Sequence, residues 1–289
     1  RFGLPLLGSC AAAGRFSPAW LDRIDDGGVA MREAIVEFGL DADRIEEAAY
    51  DPQQIIGYVE AHIEQGPVLE KAELPVGVVS GIAGQSRLHL QFQGEAGHAG
   101  ATPMGMRSDA LVSAARFIQA VRECAQQDDQ LRATVGSLNV FPNAANVIPE
   151  RVELSLDVRH VDDAIRRQAV DEALHAGCTV AAEEGTDFIV QEEVVQEAVD
   201  VDAGLSAALE QSIVDLGVAP LRLPSGAGHD AMVMARSVPV AMLFVRHPGG
   251  VSHHPDERVE RDDVAVAVEA MTRFVHALAD KFEQKDERE

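Results

Sequence analysis

The chain has 289 residues, a length that suits one large domain or two ordinary ones and can bury a core without disulfide support. Apolar residues make up 46% and charged residues 25%, which excludes wholesale disorder, and no apolar run reaches the roughly 18 residues of a bilayer span. Against 24 Lys and Arg stand 48 Asp and Glu, a net charge of −24, so a nucleic-acid binder and an anionic-membrane binder are both excluded for want of a basic footprint.

The opening stretch 1–13 imitates a signal peptide ending near Cys10, but its apolar run is short and broken by Pro5. It reads as an internal segment of a longer protein rather than an export signal. Ser17-Pro18 predicts an N-cap and an N1 proline opening a helix through Trp20, Ile24, Ala30, Ala34 and Ile35, interrupted at Gly27-Gly28. Residues 58–63 alternate apolar and polar like a strand, and Gly66-Pro67 ends it. Strand material is expected over 76–94 with a turn near Gly84, then a helix over 108–125 with Leu111, Ala115, Ile118 and Val121 at helical spacing. Strands are expected at 133–140 and 152–158, bounded by Pro142 and Pro149, a helix over 161–174, and a further strand over 178–194. Helical spacing resumes at 202–216, a short buried strand follows at 238–245, and Asp262 is expected to cap a long helix reaching about Phe282.

The middle of this order, β-α-β-β-α-β, is the split-βαβ or ferredoxin-like arrangement. The fold class is therefore α/β, with an inserted ferredoxin-like domain at 76–194 inside a discontinuous outer domain built from 1–75 and 195–289. Lys occurs only at 71, 281 and 285, which fits either a protein kept soluble in high salt or a coding sequence biased toward Arg. Cys10, Cys124 and Cys178 have no metal-like spacing, and a reducing, cytoplasmic compartment is expected.

Five stretches carry chemistry. In the first, Ala61-His62-Ile63-Glu64-Gln65-Gly66-Pro67, strand geometry would put His62, Glu64 and Gly66 on one face, with the His62 imidazole near a strand end. A half-buried, hydrogen-bonded core histidine is the plainer alternative. In the second, Gly97 and Gly100 bracket His98, and Arg107 and Asp109 follow at a helix start that offers N–H groups to an anion; an ordinary turn with Asp109 as cap is the alternative. The third joins Asn146 and Pro149 to Asp157-Val158-Arg159, where Arg159 suits a two-pronged grip on a carboxylate or else a surface pair with Asp157 or Asp162. In the fourth, Ser225-Gly226-Ala227-Gly228-His229-Asp230, a flexible loop with a His-Asp pair lacks the spacing and Lys-Ser/Thr of a phosphate loop. The fifth, Arg246-His247-Pro248-Gly249-Gly250-Val251-Ser252-His253-His254, directly follows the buried strand, where ligands of open α/β sheets collect; a solvated His-rich loop is the alternative.

Taken together and in this order, His62-Ile-Glu-Gln-Gly66, Gly97-His-Ala-Gly-Ala-Thr-Pro-Met104, Asn146-Val-Ile-Pro149, Asp157-Val-Arg159, Ser225-Gly-Ala-Gly-His-Asp230 and Gly250-Val-Ser-His253 resemble the M20-type metal-dependent amidohydrolases. The branch is the hydantoinase/carbamoylase one, with N-carbamoyl-L-amino-acid hydrolases and allantoate amidohydrolases. The resemblance implies two divalent ions (Zn, Mn, Co or Ni), with His62 as a ligand of one and His253, rather than His254, as a ligand of the other. It implies that Gln65 sits on the substrate side of the metals and that His98 stabilises the oxyanion. Asn146 and Arg159 would hold a substrate carboxylate, helped by backbone contacts at Gly226 and Gly228. The expected substrate is a small ureido carboxylate, and the expected assembly a homodimer through the inserted domain.

Members of this family carry a His-x-Asp block, a Gly-rich block and a Glu-Glu pair upstream of the position that matches Arg1-Phe2. These supply the first His ligand, the bridging Asp, the general-base Glu and a further Glu ligand. The chain is accordingly expected to be an N-terminally truncated member and to be inactive, or nearly so, as given. An M20 dipeptidase or aminoacylase, and a non-catalytic dimerising remnant, are the competing expectations.

Overall fold

The computed structural model describes residues 1–250, 252 and 254–286, with side chains as far as residue 280. The chain divides into two compact units, one formed by Arg1–Ile82 with Asp200–Glu289 and the other by Ala83–Val199.

In the first unit the strand Val240–Val245, apolar at every position, is buried along its whole length. It pairs in parallel with Tyr58–Ile63 on one side and antiparallel with Val76–Ile82 on the other, and Arg222–Ser225 extends the sheet beyond Val76–Ile82. One sheet face is covered by the helices Ala203–Val214 and Arg261–Asp286, whose Leu205, Leu209, Ile213, Ala270 and Phe274 pack with Val76, Val78, Ala241 and Leu243. The short helix Asp230–Met234 packs on Tyr58–Ile63 and on Val240–Val245. Period-two alternation explains why Val59 joins the apolar cluster beneath Ala203–Val214 and Arg261–Asp286 while Glu60 and His62 share the other face.

The second unit realises the expected β-α-β-β-α-β order. Its four strands lie in the order Arg132–Phe141, Arg151–His160, Gly84–Gln93, Asp187–Gln196, and every neighbour is antiparallel. The helices Ala110–Ala125 and Asp163–Glu184 cover one face around Leu88, Leu90, Phe92, Phe117, Leu154 and Leu156. Arg166 is fully buried there, bonded to Asp163 and Ser86.

Several expected elements are corrected. The stretch 76–94, expected to lie wholly in the inserted domain, is divided: Val76–Ile82 belongs to the first unit's sheet and Gly84–Gln93 to the second's. Gly84 marks the change, because a Cβ there would fall within 2.6 Å of the Ala198 nitrogen. The helix that was expected to end at 174 continues to Glu184, since Gly177, Val180 and Ala181 extend its buried face, and Gly185 stops it in the left-handed region at φ 67°. The 178–194 strand is thereby confined to Asp187–Gln196. Instead of one helix from Ser17, there is a single 3₁₀ turn, Pro18–Asp22, and a separate helix, Met31–Glu37. Between them Asp25 accepts the Gly27 and Val29 N–H groups, a side-chain turn that competes with helix. Asp262 lies inside the first turn of the last helix rather than before it.

Candidate metal centre

The strand Tyr58–Ile63 brings Glu60 and His62 to one face, and the loop after Arg222–Ser225 lays His229 across them. The His62 and His229 rings meet edge to face, with centroids 4.6 Å apart. The Nδ1 of His62 lies 2.8 Å from the Ile63 carbonyl oxygen, an acceptor only, so the proton sits on Nδ1 and Nε2 carries the lone pair. His229 is 3% exposed. Its Nε2 is 2.6 Å from the Ser225 hydroxyl, which also accepts the Ala227 N–H. Its Nδ1 has no hydrogen-bond partner and lies 3.6 Å from Oε1 of Glu60, beyond hydrogen-bond reach. The other carboxylate oxygen, Oε2, accepts the Ala231 N–H at 2.9 Å and the Tyr58 hydroxyl at 3.3 Å. Ligand atoms of Glu60, His62 and His229 all lie within 4.8 Å of one another, a spacing at which they can share one cation.

Electrostatics follow from burial. Desolvation, with the neighbouring His62 second, pulls the His229 pKa from 6.5 down to about 4, so the ring is neutral at neutral pH. Desolvation also pushes the Glu60 carboxyl above the usual carboxylate range, against the N–H of Ala231 and the hydroxyl of Tyr58.

Beside this cluster Gln65, in the left-handed region at φ 56°, donates its amide N–H to the Ser252 hydroxyl at 3.0 Å. Gly250 approaches the backbone of Gly66 so closely that a Cβ would stand 3.2 Å from the Gly66 carbonyl carbon. The first and fifth motif stretches therefore meet. His253 lies outside the described residues. Glu64 is past the strand end and does not join the His62 face: it accepts the Val68 and Leu69 N–H groups and caps the turn Val68–Lys71. Gly226 and Gly228 lie in the loop leading to His229, and neither has a positive φ.

In the second unit, the two-stranded pairing of Gly97–His98 with Val147–Ile148 brings the His98 and Asn146 loops together, and the Asn146 carbonyl accepts the Ala99 N–H. His98 is exposed, and its Nδ1 accepts the Gly100 N–H at 3.1 Å. Arg107 donates to the Ala99 and Thr102 carbonyls and clamps this loop, while Asp109 takes the Leu111 and Val112 N–H groups. That helix start is thus occupied by its own cap rather than open to an anion. Arg159 forks onto Asp157 through Nε at 2.7 Å and Nη2 at 3.0 Å, and Gln85 and Arg87 bind the same carboxylate.

Two members of the centre, Glu60 and His229, were absent from the ligands inferred by resemblance. Glu60 was legible in principle, because the alternation that gives His62 its face gives Glu60 the same one. His229 was visible only as part of a flexible loop, since nothing local indicates that it lies over a strand more than 160 residues earlier.

A sheet edge with imidazoles and a carboxylate gathered at strand and loop ends can hold a metal ion. The family described as Peptidase family M20/M25/M40 matches residues 26–277, and the chain belongs to it. The chain is 40% identical over 279 residues to an N-carbamoyl-L-amino acid amidohydrolase of Geobacillus stearothermophilus, covering 96% of this chain and 68% of that protein. It is 35% identical to an allantoate deiminase of Arabidopsis thaliana, covering 96% of this chain and 58% of the relative. An amidase of the hydantoinase/carbamoylase family from Burkholderia multivorans has a solved structure that superposes with a TM-score of 0.88 at 31% identity, over 95% of this chain and 66% of that one. The chain thus spans about two thirds or less of the length of these relatives.

Proposed function

We propose that the whole protein is a metal-dependent amidohydrolase cleaving the C–N bond of a ureido or carbamoyl group in a small carboxylate, such as an N-carbamoyl-L-amino acid or allantoate. One observation carries this: the 40% identity with a carbamoyl-amino-acid hydrolase extends along 96% of the chain, a span that contains every motif from His62 to His253. A bound pair of divalent ions (Zn, Mn, Co or Ni) would activate water and polarise the scissile carbonyl.

The residues of the centre fit such ions. His62 is oriented by the Ile63 carbonyl with its Nε2 free to ligate, and the unpartnered His229 Nδ1 leaves a buried lone pair or proton that only a cation or acceptor would satisfy. His253 is proposed as a ligand of the second ion. Gln65, fixed by Ser252, keeps its amide oxygen as an acceptor beside the metals. In His98 the Gly100 N–H occupies Nδ1, so the proton resides on Nε2, where it is a donor suited to a developing oxyanion. Asn146 and Arg159 are proposed to hold the substrate carboxylate, with Arg159 exchanging or sharing its Asp157 partner, and Gly226 and Gly228 to add backbone contacts.

A homodimer through the inserted unit is supported by its edge strand Asp187–Gln196, which exposes Ile189, Val190, Val194 and Val195. Cytoplasmic location is proposed with it; no helix among the described residues is long and apolar enough to cross a membrane.

The deciding experiment supplies N-carbamoyl-L-amino acids, allantoate, a dipeptide and an N-acetyl amino acid to two metal-loaded preparations, the protein as its source makes it and the 289-residue chain. Release of ammonia from the ureido substrates by the first is expected, with little or none from the second. Turnover confined to the dipeptide or the acetyl amino acid would replace the proposal with the peptidase or aminoacylase alternative.

A further inference from the structure

Arg159 does not stand alone on its strand. Leu154 and Leu156 turn toward the covering helices, so alternation puts Asp157 and Arg159 on the opposite face of the sheet. Across the neighbouring strands, Gln85 stands opposite Arg159 and Arg87 opposite Asp157, while Arg132 faces Arg159 from the other side. Three guanidinium groups thus crowd one patch, and like charges directly opposite each other on a sheet repel. The Asp157 carboxylate binds two of the three. It accepts Arg159 Nε at 2.7 Å and Nη2 at 3.0 Å, Arg87 Nη2 at 3.2 Å, and the Gln85 amide. Arg132 donates instead to the backbone carbonyls of Asp129 and Leu131.

The Asp157–Arg159 pair is two-pronged and only 23% and 32% exposed, which separates it from the solvated ion pairs that contribute little. Burial raises the Asp157 pKa, but the bonds from Arg159, Gln85 and Arg87 outweigh it and hold the carboxyl below its usual range. The direction of the grip matters as much as its strength. A guanidinium offers one fork from Nε and Nη2 and another from its two terminal nitrogens. Asp157 takes the first, which fixes the plane of the group and leaves Nη1 outside its hold.

We propose that Asp157 is a positioning residue for substrate binding: it holds the Nε–Nη2 fork of Arg159 so that the terminal fork meets the substrate carboxylate, and Gln85 and Arg87 keep Asp157 in place. The substrate carboxylate adds beside Asp157 rather than replacing it. This rests on the reading of Arg159 as the carboxylate anchor and deepens it. It has a sign that simple competition lacks: removing the Asp157 charge loosens the substrate, although it removes a rival anion.

The test uses the metal-loaded protein as its source makes it, with N-carbamoyl-L-alanine and its uncharged carboxamide as substrates. Asp157→Asn turns one acceptor oxygen into a donor that faces other donors. It is expected to raise KM for the acid by about tenfold to a hundredfold, the range of hydrogen bonds to charged groups. The kcat for the acid and the KM for the carboxamide should change little. A second readout needs no turnover. The Arg159 Nε–H signal in ¹⁵N spectra, assigned by its loss in Arg159→Lys, should exchange slowly with solvent and move when N-carbamoyl-L-alanine is added. In Asp157→Asn it should exchange faster, while the Leu154 and Leu156 amides keep their protection. A lower KM for the acid in Asp157→Asn would overturn the proposal and make Asp157 a competitor of the substrate. A KM raised equally for acid and carboxamide, or an Nε–H signal indifferent to the substitution, would overturn it in favour of a purely structural pair. Absence of turnover with both ureido substrates would strike the hydrolase assignment instead, with the Nε–H signal still deciding whether Asp157 presents Arg159 to a carboxylate.

Discussion

Burial of His229 has a measurable consequence in acid. Its side chain is 1% exposed, and its pKa falls from 6.5 to about 4 on folding. Between those values the unfolded chain binds a proton that the folded chain does not, so this contribution is complete above about pH 6.5 and lost as pH falls toward 4. At roughly 1.36 kcal/mol per pH unit the interval amounts to about 3 kcal/mol, a large part of the ~5–15 kcal/mol that holds a domain together. Glu60 acts in the opposite sense: its folded pKa is raised, so its contribution is present below the ordinary carboxyl range and is lost as pH rises above it. The clean comparison therefore uses metal-free Glu60→Gln against Glu60→Gln/His229→Gln, unfolded in urea at about pH 7.5 and about pH 4.5. The protein that keeps His229 should lose about 2–3 kcal/mol more on acidification. Its ring Cε1–H resonance should show no titration until well below pH 6. Equal acid losses in the two proteins, or a His229 resonance titrating near 6.5, would refute the burial argument.

Two further outcomes test the scaffold. Gly177→Ala gains about 1 kcal/mol of helix propensity. Its new methyl, however, would stand 2.5 to 2.8 Å from three carbons of the Phe188 ring, which is wedged against Phe92 and Phe117. The steric cost should win, with a net loss of about 1–2 kcal/mol in urea unfolding; an equally stable variant would show that the aromatic cluster can yield. Arg246→Met strands the Asp263 carboxylate, 3% exposed and otherwise gripped through two bonds of 2.6 and 2.8 Å, and should cost about 3 kcal/mol; a change below 1 kcal/mol would mean water reaches that carboxylate.

The alternation at 58–63, the apolar run now seen as Val240–Val245, and the order of elements in the β-α-β-β-α-β unit follow from local periodicity, although within that unit the second helix runs on to Glu184 and the last strand is confined to Asp187–Gln196. The order of the motifs was equally a property of the chain alone. Where neighbours in space are distant in sequence, no local pattern could speak. Glu60 receives the Ala231 N–H across 171 positions, and only packing of the Asp230–Met234 turn on the sheet makes the carboxylate and His229 face each other. The same reason governs the smaller surprises. Glu64 and Asp109 have the chemistry of ligands, but the first unpaired N–H groups of nearby helices claim them, and Arg159 is committed to an aspartate two residues away on its own strand. Sequence fixes which groups are available for chemistry; the tertiary structure decides which are already spent on backbone donors and which, like the Nδ1 of His229, are left facing a gap.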